Sequence, residues 1–123
     1  MKRQEMQSMH HLFTGVERKE IETTDRLYTI FLNTRNKEDV IQIPDEYIVN
    51  NPSYLSGFRS YWGTVSDHEY GLCYHGFTII PSESLATFKQ IINDDPNVLQ
   101  LMPLLKLCTK CIENNLLILH WGI

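Results

Sequence analysis

The chain has little of several things that would have placed it quickly. No apolar run approaches the ~18 residues needed to span a bilayer, so no membrane helix is expected. The basic start MKRQEMQSMHHLF is not followed by an apolar stretch, so no secretory leader is expected either. Three cysteines are an odd number and are not spaced as a disulfide framework, which points to a reducing, cytoplasmic setting. Six glycines and five prolines are scattered rather than clustered. That leaves no linker, repeat or low-complexity segment, and the 123 residues read as one domain, 1–123, with residues 1–12 free to fray. No phosphate-binding glycine loop, zinc-protease helix or nucleophile elbow is present, and no cofactor is expected.

Basic residues are scarcest in the middle. Residues 38–95 hold nine acids against Arg59 and Lys89, a balance of -7, within a chain whose net charge is -4. Such a segment repels phosphate backbones, which argues against direct nucleic-acid binding, and it attracts a basic protein. A solvated acidic surface with no partner is the plainer reading of the same numbers.

What is present is a core. The apolar content is 42 % with 13 Phe, Tyr and Trp residues, enough to pack an interior. The segment QEMQSMHHLF has helical spacing (Met6, Met9, His10, Phe13), closed by Gly15. RLYTIFLN (26–33) and VIQIP (40–44) are rich in β-formers and read as hairpin partners, the second ended by Pro44. A short helical turn over 45–49 follows. Asn51-Pro52 then opens a helix carrying Tyr54, Leu55, Phe58, Tyr61 and Trp62 and stopped by Gly63. Residues 71–80 read as one extended segment bent at Gly76. Pro81-Ser82 opens a helix, capped by Ser82, with Leu85, Phe88, Ile91 and Ile92 as its apolar stripe. Asn93-Asp94-Asp95-Pro96 breaks it. A last helix, begun or kinked at Pro103, aligns Val98, Leu101, Leu105, Cys108 and Ile112, and LLILHWGI is a buried final strand. The fold class is α+β, a mainly antiparallel sheet of about five strands with three or four helices packed on it.

The candidate chemistry starts at Cys108-Thr109-Lys110-Cys111. A redox pair needs its reactive thiolate at a helix N-terminus, whereas this one falls inside a helix on or beside its apolar stripe. A zinc site drawn from Cys73, His75, Cys108, Cys111 and His120 has enough ligands, but its members sit in core-like runs rather than short loops. Packed cysteine is the reading favoured over both. His10 and His11 lie in a polar segment, and Ser66-Asp67-His68 are chain neighbours that cannot form a triad among themselves. Aromatics bordered by acids, the composition of binding hot spots, occupy the middle: Asp45, Glu46, Tyr54, Tyr61, Trp62, Asp67, Glu69 and Tyr70, with Tyr47, Phe58 and Tyr74 nearby. These aromatics can equally belong to the core.

The stretch YHGFTIIPSESLATFKQII, the Leu-rich helix after it and the terminal LLILHWGI together resemble small bacterial proteins of the toxin-immunity type. That resemblance implies a small, cytosolic, non-enzymatic protein that binds a basic toxin domain directly. Two other readings stay open: a small enzyme or ligand-binding domain with a Tyr/His/Asp pocket around His68, His75 or His120, and a structural homodimer.

Overall fold

The computed structural model describes residues 9–19, 40–62 and 68–123. Their elements, in chain order, are β1 (His10–Val16), β2 (Ile41–Pro44), α1 (Glu46–Val49), α2 (Ser53–Ser56), β3 (Arg59–Trp62), β4 (His68–Tyr70), β5 (Phe77–Ile80), α3 (Ser82–Asn93), α4 (Met102–Glu113) and β6 (Leu117–Trp121). The architecture is α+β, as expected. Six strands form one antiparallel sheet in the order β2-β1-β6-β5-β3-β4, with the four helices packed on it.

The last strand lies in the middle of this sheet, between the first strand and β5. The sequence of β6 suits that place, because four of its five residues are buried and both faces must be apolar. Register assigns the faces. Phe13, His120 and Thr78 pair across three strands and share one face with Ile118 and Ile80. That face carries the main core, where Phe88 of α3 packs against Phe58, Tyr54 and Phe13 at ring separations of 4.9, 6.1 and 6.2 Å. On the other face Val16, Ile79, Leu117 and Leu119 are buried together, bordered by Leu12, Tyr61, Phe77 and Trp121.

Several sequence expectations are corrected. Residues 10–16 are a strand, not the end of a helix, and His11 is completely buried rather than frayed. Pairing on both sides, to β2 and β6, satisfies the backbone of β1, and this tertiary gain outweighs a helical spacing of four residues. β2 pairs with β1 on one side; the hairpin partner expected at 26–33 lies outside the described residues. The helix expected over 51–62 stops at Gly57, whose N–H donates to the Ser53 carbonyl, and the chain turns into β3. Asn51 does act at its start, its Oδ1 accepting the Ser53 N–H at 3.1 Å. Residues 71–76 are a loop, so extended structure begins only at Phe77. α3 has the expected position and stripe, but Ser82 is its first helical residue and forms no cap hydrogen bond.

α4 is turned relative to expectation. Leu104, Leu107, Cys108 and Cys111 face inward, whereas Ile112 is 44 % exposed. Gly15 of β1 accounts for this. A Cβ there would stand 2.9 Å from the Cys111 sulfur, so glycine lets the Cys111 face of α4 settle directly on the sheet.

Candidate functional site

The sheet order separates the acidic and aromatic residues singled out above. Glu46 follows β2 at one edge of the sheet, while Glu69 and Tyr70 belong to β4 at the other. Five strand spacings of ~4.8 Å put these edges on the order of 24 Å apart. Glu46 and Glu69 are exposed, and Tyr70 is 57 % exposed. Tyr61 and Trp62 are half-buried on opposite faces of β3. Tyr61 borders the smaller core, and the Trp62 indole N–H donates to the Gly71 carbonyl at 2.9 Å. Asp67 lies outside the described residues. Tyr47 is half-buried against the core and Phe58 is buried in it.

Two of the expected binding residues point inward. Tyr54 is fully buried, and its hydroxyl donates to Asp95 at 2.8 Å. Asp95 also accepts from the Asn51 side chain at 2.9 Å and the Asn97 N–H at 2.7 Å. Burial works to raise the Asp95 pKa, but these three donors outweigh it and hold the carboxyl below its usual value. Burial and the same carboxylate push the Tyr54 phenol up. The cluster ties α2 to the connection between α3 and α4. Tyr54→Phe leaves Asp95 two donors and is expected to cost about 1.5 kcal/mol, read as a lowered urea midpoint with unchanged slope.

Asp45, the other inward residue, anchors a chain of hydrogen bonds through the main core. Its Oδ1 lies 2.9 Å from His11 Nε2, and its Oδ2 accepts the Tyr74 hydroxyl at 2.7 Å. His11 Nδ1 lies 2.8 Å from His120 Nε2, and His120 Nδ1 lies 3.0 Å from Thr78 Oγ1. The Cys73 N–H donates to Thr78 Oγ1 at 2.7 Å. With Asp45 ionised and both rings neutral, one proton arrangement satisfies every member. His11 donates from Nε2 to Asp45, His120 donates from Nε2 to His11, and Thr78 donates to His120 Nδ1. The imidazoles stack with centroids 5.0 Å apart, and Phe13 covers His120 at 4.8 Å. Burial lowers the pKa of His11 against the opposing pull of Asp45; burial, helped by the neighbouring His11, takes that of His120 well below its usual value. The hydrogen bond to Asp45, with burial, raises the Tyr74 phenol.

Sequence reading missed His11, Tyr74 and Asp95 as members of networks. His11 alternates with Phe13 at strand spacing, a signal masked by reading the segment as helix. The others are brought to their partners by loops, which leave no periodic trace.

The five possible zinc ligands are not assembled. Cys108 and Cys111 are buried, and burial pushes their thiols up to about 12 and about 11, opposite to what a reactive or metal-binding thiolate needs. Both His120 nitrogens are occupied within the chain just described. His75 is exposed, with Nδ1 3.1 Å from the Ile123 backbone oxygen, and Cys73 is half-buried in the loop before β5. Among the described residues no three His, Cys, Asp or Glu side chains are placed to hold a metal ion. Of the rings named for an alternative pocket, His75 lies outside and His120 at the centre, while the side chain of His68 lies outside the described residues. No helix among these residues is long and apolar enough to cross a membrane.

Among the described residues, Lys89 of α3 and Lys106 and Lys110 of α4 line a groove of about 410 Å³ between these two helices. No family model and no curated protein matches the sequence. Among solved structures the chain is similar to the Neisseria DNA mimic protein DMP12, with a TM-score of 0.55 over 91 % of this chain and 98 % of that one. At 12 % identity the likeness is one of fold.

Proposed function

We propose that this chain is a non-enzymatic binding module that presents carboxylates to a basic protein surface of the kind that ordinarily receives nucleic acid. The carrying observation is the state of its acids. Glu46, Glu69, Glu83 and Asp94 are all exposed, and among the described residues none is paired with a Lys or Arg. Charges left uncompensated on the surface are taken up by an oppositely charged partner, which speeds encounter and adds specificity. The fold shared with a protein that mimics DNA supports the same partner chemistry. A nuclease-type toxin domain, which the resemblance to immunity proteins implies, is one member of that class, and a DNA-binding protein is another. The inward commitment of His11, His120 and the two cysteines of α4 supports a non-catalytic role.

The test is capture from cell extract on the immobilised chain, with wild type and a Glu46→Gln/Glu69→Gln variant compared at low and at high salt. A basic protein retained by wild type at low salt, and at least about tenfold less by the variant or in high salt, is the expected result. Finding no specifically retained protein, or one indifferent to both changes, overturns the proposal.

A further inference from the structure

Six Lys and Arg residues lie within the described segments: Arg18, Lys19, Arg59, Lys89, Lys106 and Lys110. The first three each have an interaction partner in the fold. The last three form no ion pair with a carboxylate among the described residues, and all three line the groove between α3 and α4. In a chain with 15 acids and 11 Lys/Arg, this placement runs against the average charge.

The local geometry also runs against helix stability. Lys106 and Lys110 stand four residues apart on α4, a like-charge spacing that costs a few tenths of a kcal/mol in an isolated helix. Lys89 reaches toward the same seam from α3, where its charge is felt at Cys108. Glu113, at the far end of the groove, pairs with none of them. The floor is aliphatic, made by half-buried Met102 and Leu105.

We propose that this groove is a docking site for an acidic, aliphatic-rich peptide segment of a partner protein. The lined stretch of α4, Met102 to Glu113, is about 16 Å long at ~1.5 Å per residue. That accommodates about five extended residues or three helical turns of a ligand. Lysines are point charges on flexible stems and accept carboxylates without demanding one geometry. The groove holds no arginine or aromatic ring on which a base could stack, so it favours carboxylates over a nucleic-acid strand. The site is separate from the exposed carboxylates proposed to meet a basic partner, and it stands or falls independently of them.

The test uses a synthetic peptide of about ten residues made of Glu and Leu, its Gln/Leu counterpart, and a short DNA duplex. Binding is followed by fluorescence polarisation and by backbone amide shifts. The Glu/Leu peptide is expected to bind in low salt and to move the amides of Met102, Leu105, Lys106 and Lys110. Lys106→Glu/Lys110→Glu is expected to weaken it at least about tenfold, and Lys89→Gln, on the other helix, about threefold. Both lysines of α4 are exposed, and far-UV circular dichroism checks that the variants fold. Equal binding by wild type and the reversed variant overturns the proposal, as does failure of the Glu/Leu peptide to bind at millimolar concentration. Tighter binding of the duplex makes the groove a nucleic-acid site instead. A wild-type dimer whose interface covers Lys106 and Lys110 makes the occupant a second copy of this chain; either result also overturns it.

Discussion

Gly71→Ala is expected to lose on the order of 5 kcal/mol, enough to unfold much of the protein at room temperature. Gly71 has φ of +77°, a conformation that L side chains rarely adopt. The larger obstacle is space. A Cβ on Gly71 would stand 2.0 Å from the Leu55 carbonyl carbon, 2.2 Å from its oxygen and 2.4 Å from the Ser56 nitrogen, all of them backbone atoms. The site cannot relax by moving away, because Gly71 is held on both sides. Its N–H donates to the Phe58 carbonyl at 2.7 Å, and its carbonyl accepts from Ser60 Oγ at 2.6 Å and the Trp62 indole at 2.9 Å. Gly76→Ala is the control: a Cβ there meets a single atom within 4 Å, the Cys73 sulfur at 3.1 Å, on a side chain that can rotate. Urea denaturation of the two variants should differ by several kcal/mol. Similar midpoints would show that the Leu55–Gly71 contact is not a fixed point of the fold.

The second large effect is with pH. His11 and His120 are buried and neutral in the fold, their pKa values below the unfolded value of about 6.5. As pH falls through about 6.5 the unfolded chain gains protons that the folded chain does not. The stability that depends on the neutral pair is therefore complete above that pH and lost below it. Each histidine contributes a slope of up to about 1.4 kcal/mol per pH unit. His120, held well below the unfolded value, removes about 2 kcal/mol between pH 7 and pH 5, and His11, whose pKa is also lowered, adds to this loss. Asp45 and Tyr74 face the pair from one end, Thr78 from the other, and His10 adds a repulsive charge when protonated. A proton on His11 Nδ1 sets its N–H against that of His120 Nε2, two donors facing each other, and breaks the chain. Urea midpoints at pH 7 and pH 5 check this, and His120→Gln should shrink the difference by removing the more strongly shifted ring. A midpoint that does not move between these pH values would refute it. Asp95 adds a separate loss lower down, below the usual carboxylate range, because its folded pKa is depressed.

Both predictions rest on contacts that no stretch of sequence displays. α3, α4 and β6 are legible because each carries its own signals: an aliphatic stripe with helical period, a proline near the start, or a run of β-formers between turn residues. The turn of α4 was less legible, since stripes through Leu105 and Ile112 or through Leu104 and Cys111 both fit helical spacing. What chose between them was a glycine on β1, about a hundred residues away in the chain. β1 itself was misread for the same reason, its strand character depending on two partners that flank it in space.

The candidate site divides in the same way. Composition identified an acidic, aromatic middle, and the structure divided those residues according to where their strands lie in the sheet. Asp45 and Tyr54 turned inward because polar atoms near a core must be paired, and buried His11 and the buried carboxylate Asp95 were their partners. Glu46, Glu69 and Tyr70 stayed outside.

By itself, then, the sequence determined the α+β class, the main helices, the last strand and the acidic bias of residues 38–95, all properties that a window of neighbouring residues or a sum can carry. Tertiary structure alone decided that β6 enters between β1 and β5, and so set His120 against His11, 109 positions earlier. It also decided which carboxylates are spent inside and which face solvent, and it gathered three lysines from two helices into one groove. The physical reason is one of range. Periodicity and capping act over a few residues, whereas strand order follows from burying both faces of β6 at once, which only the assembled sheet can satisfy.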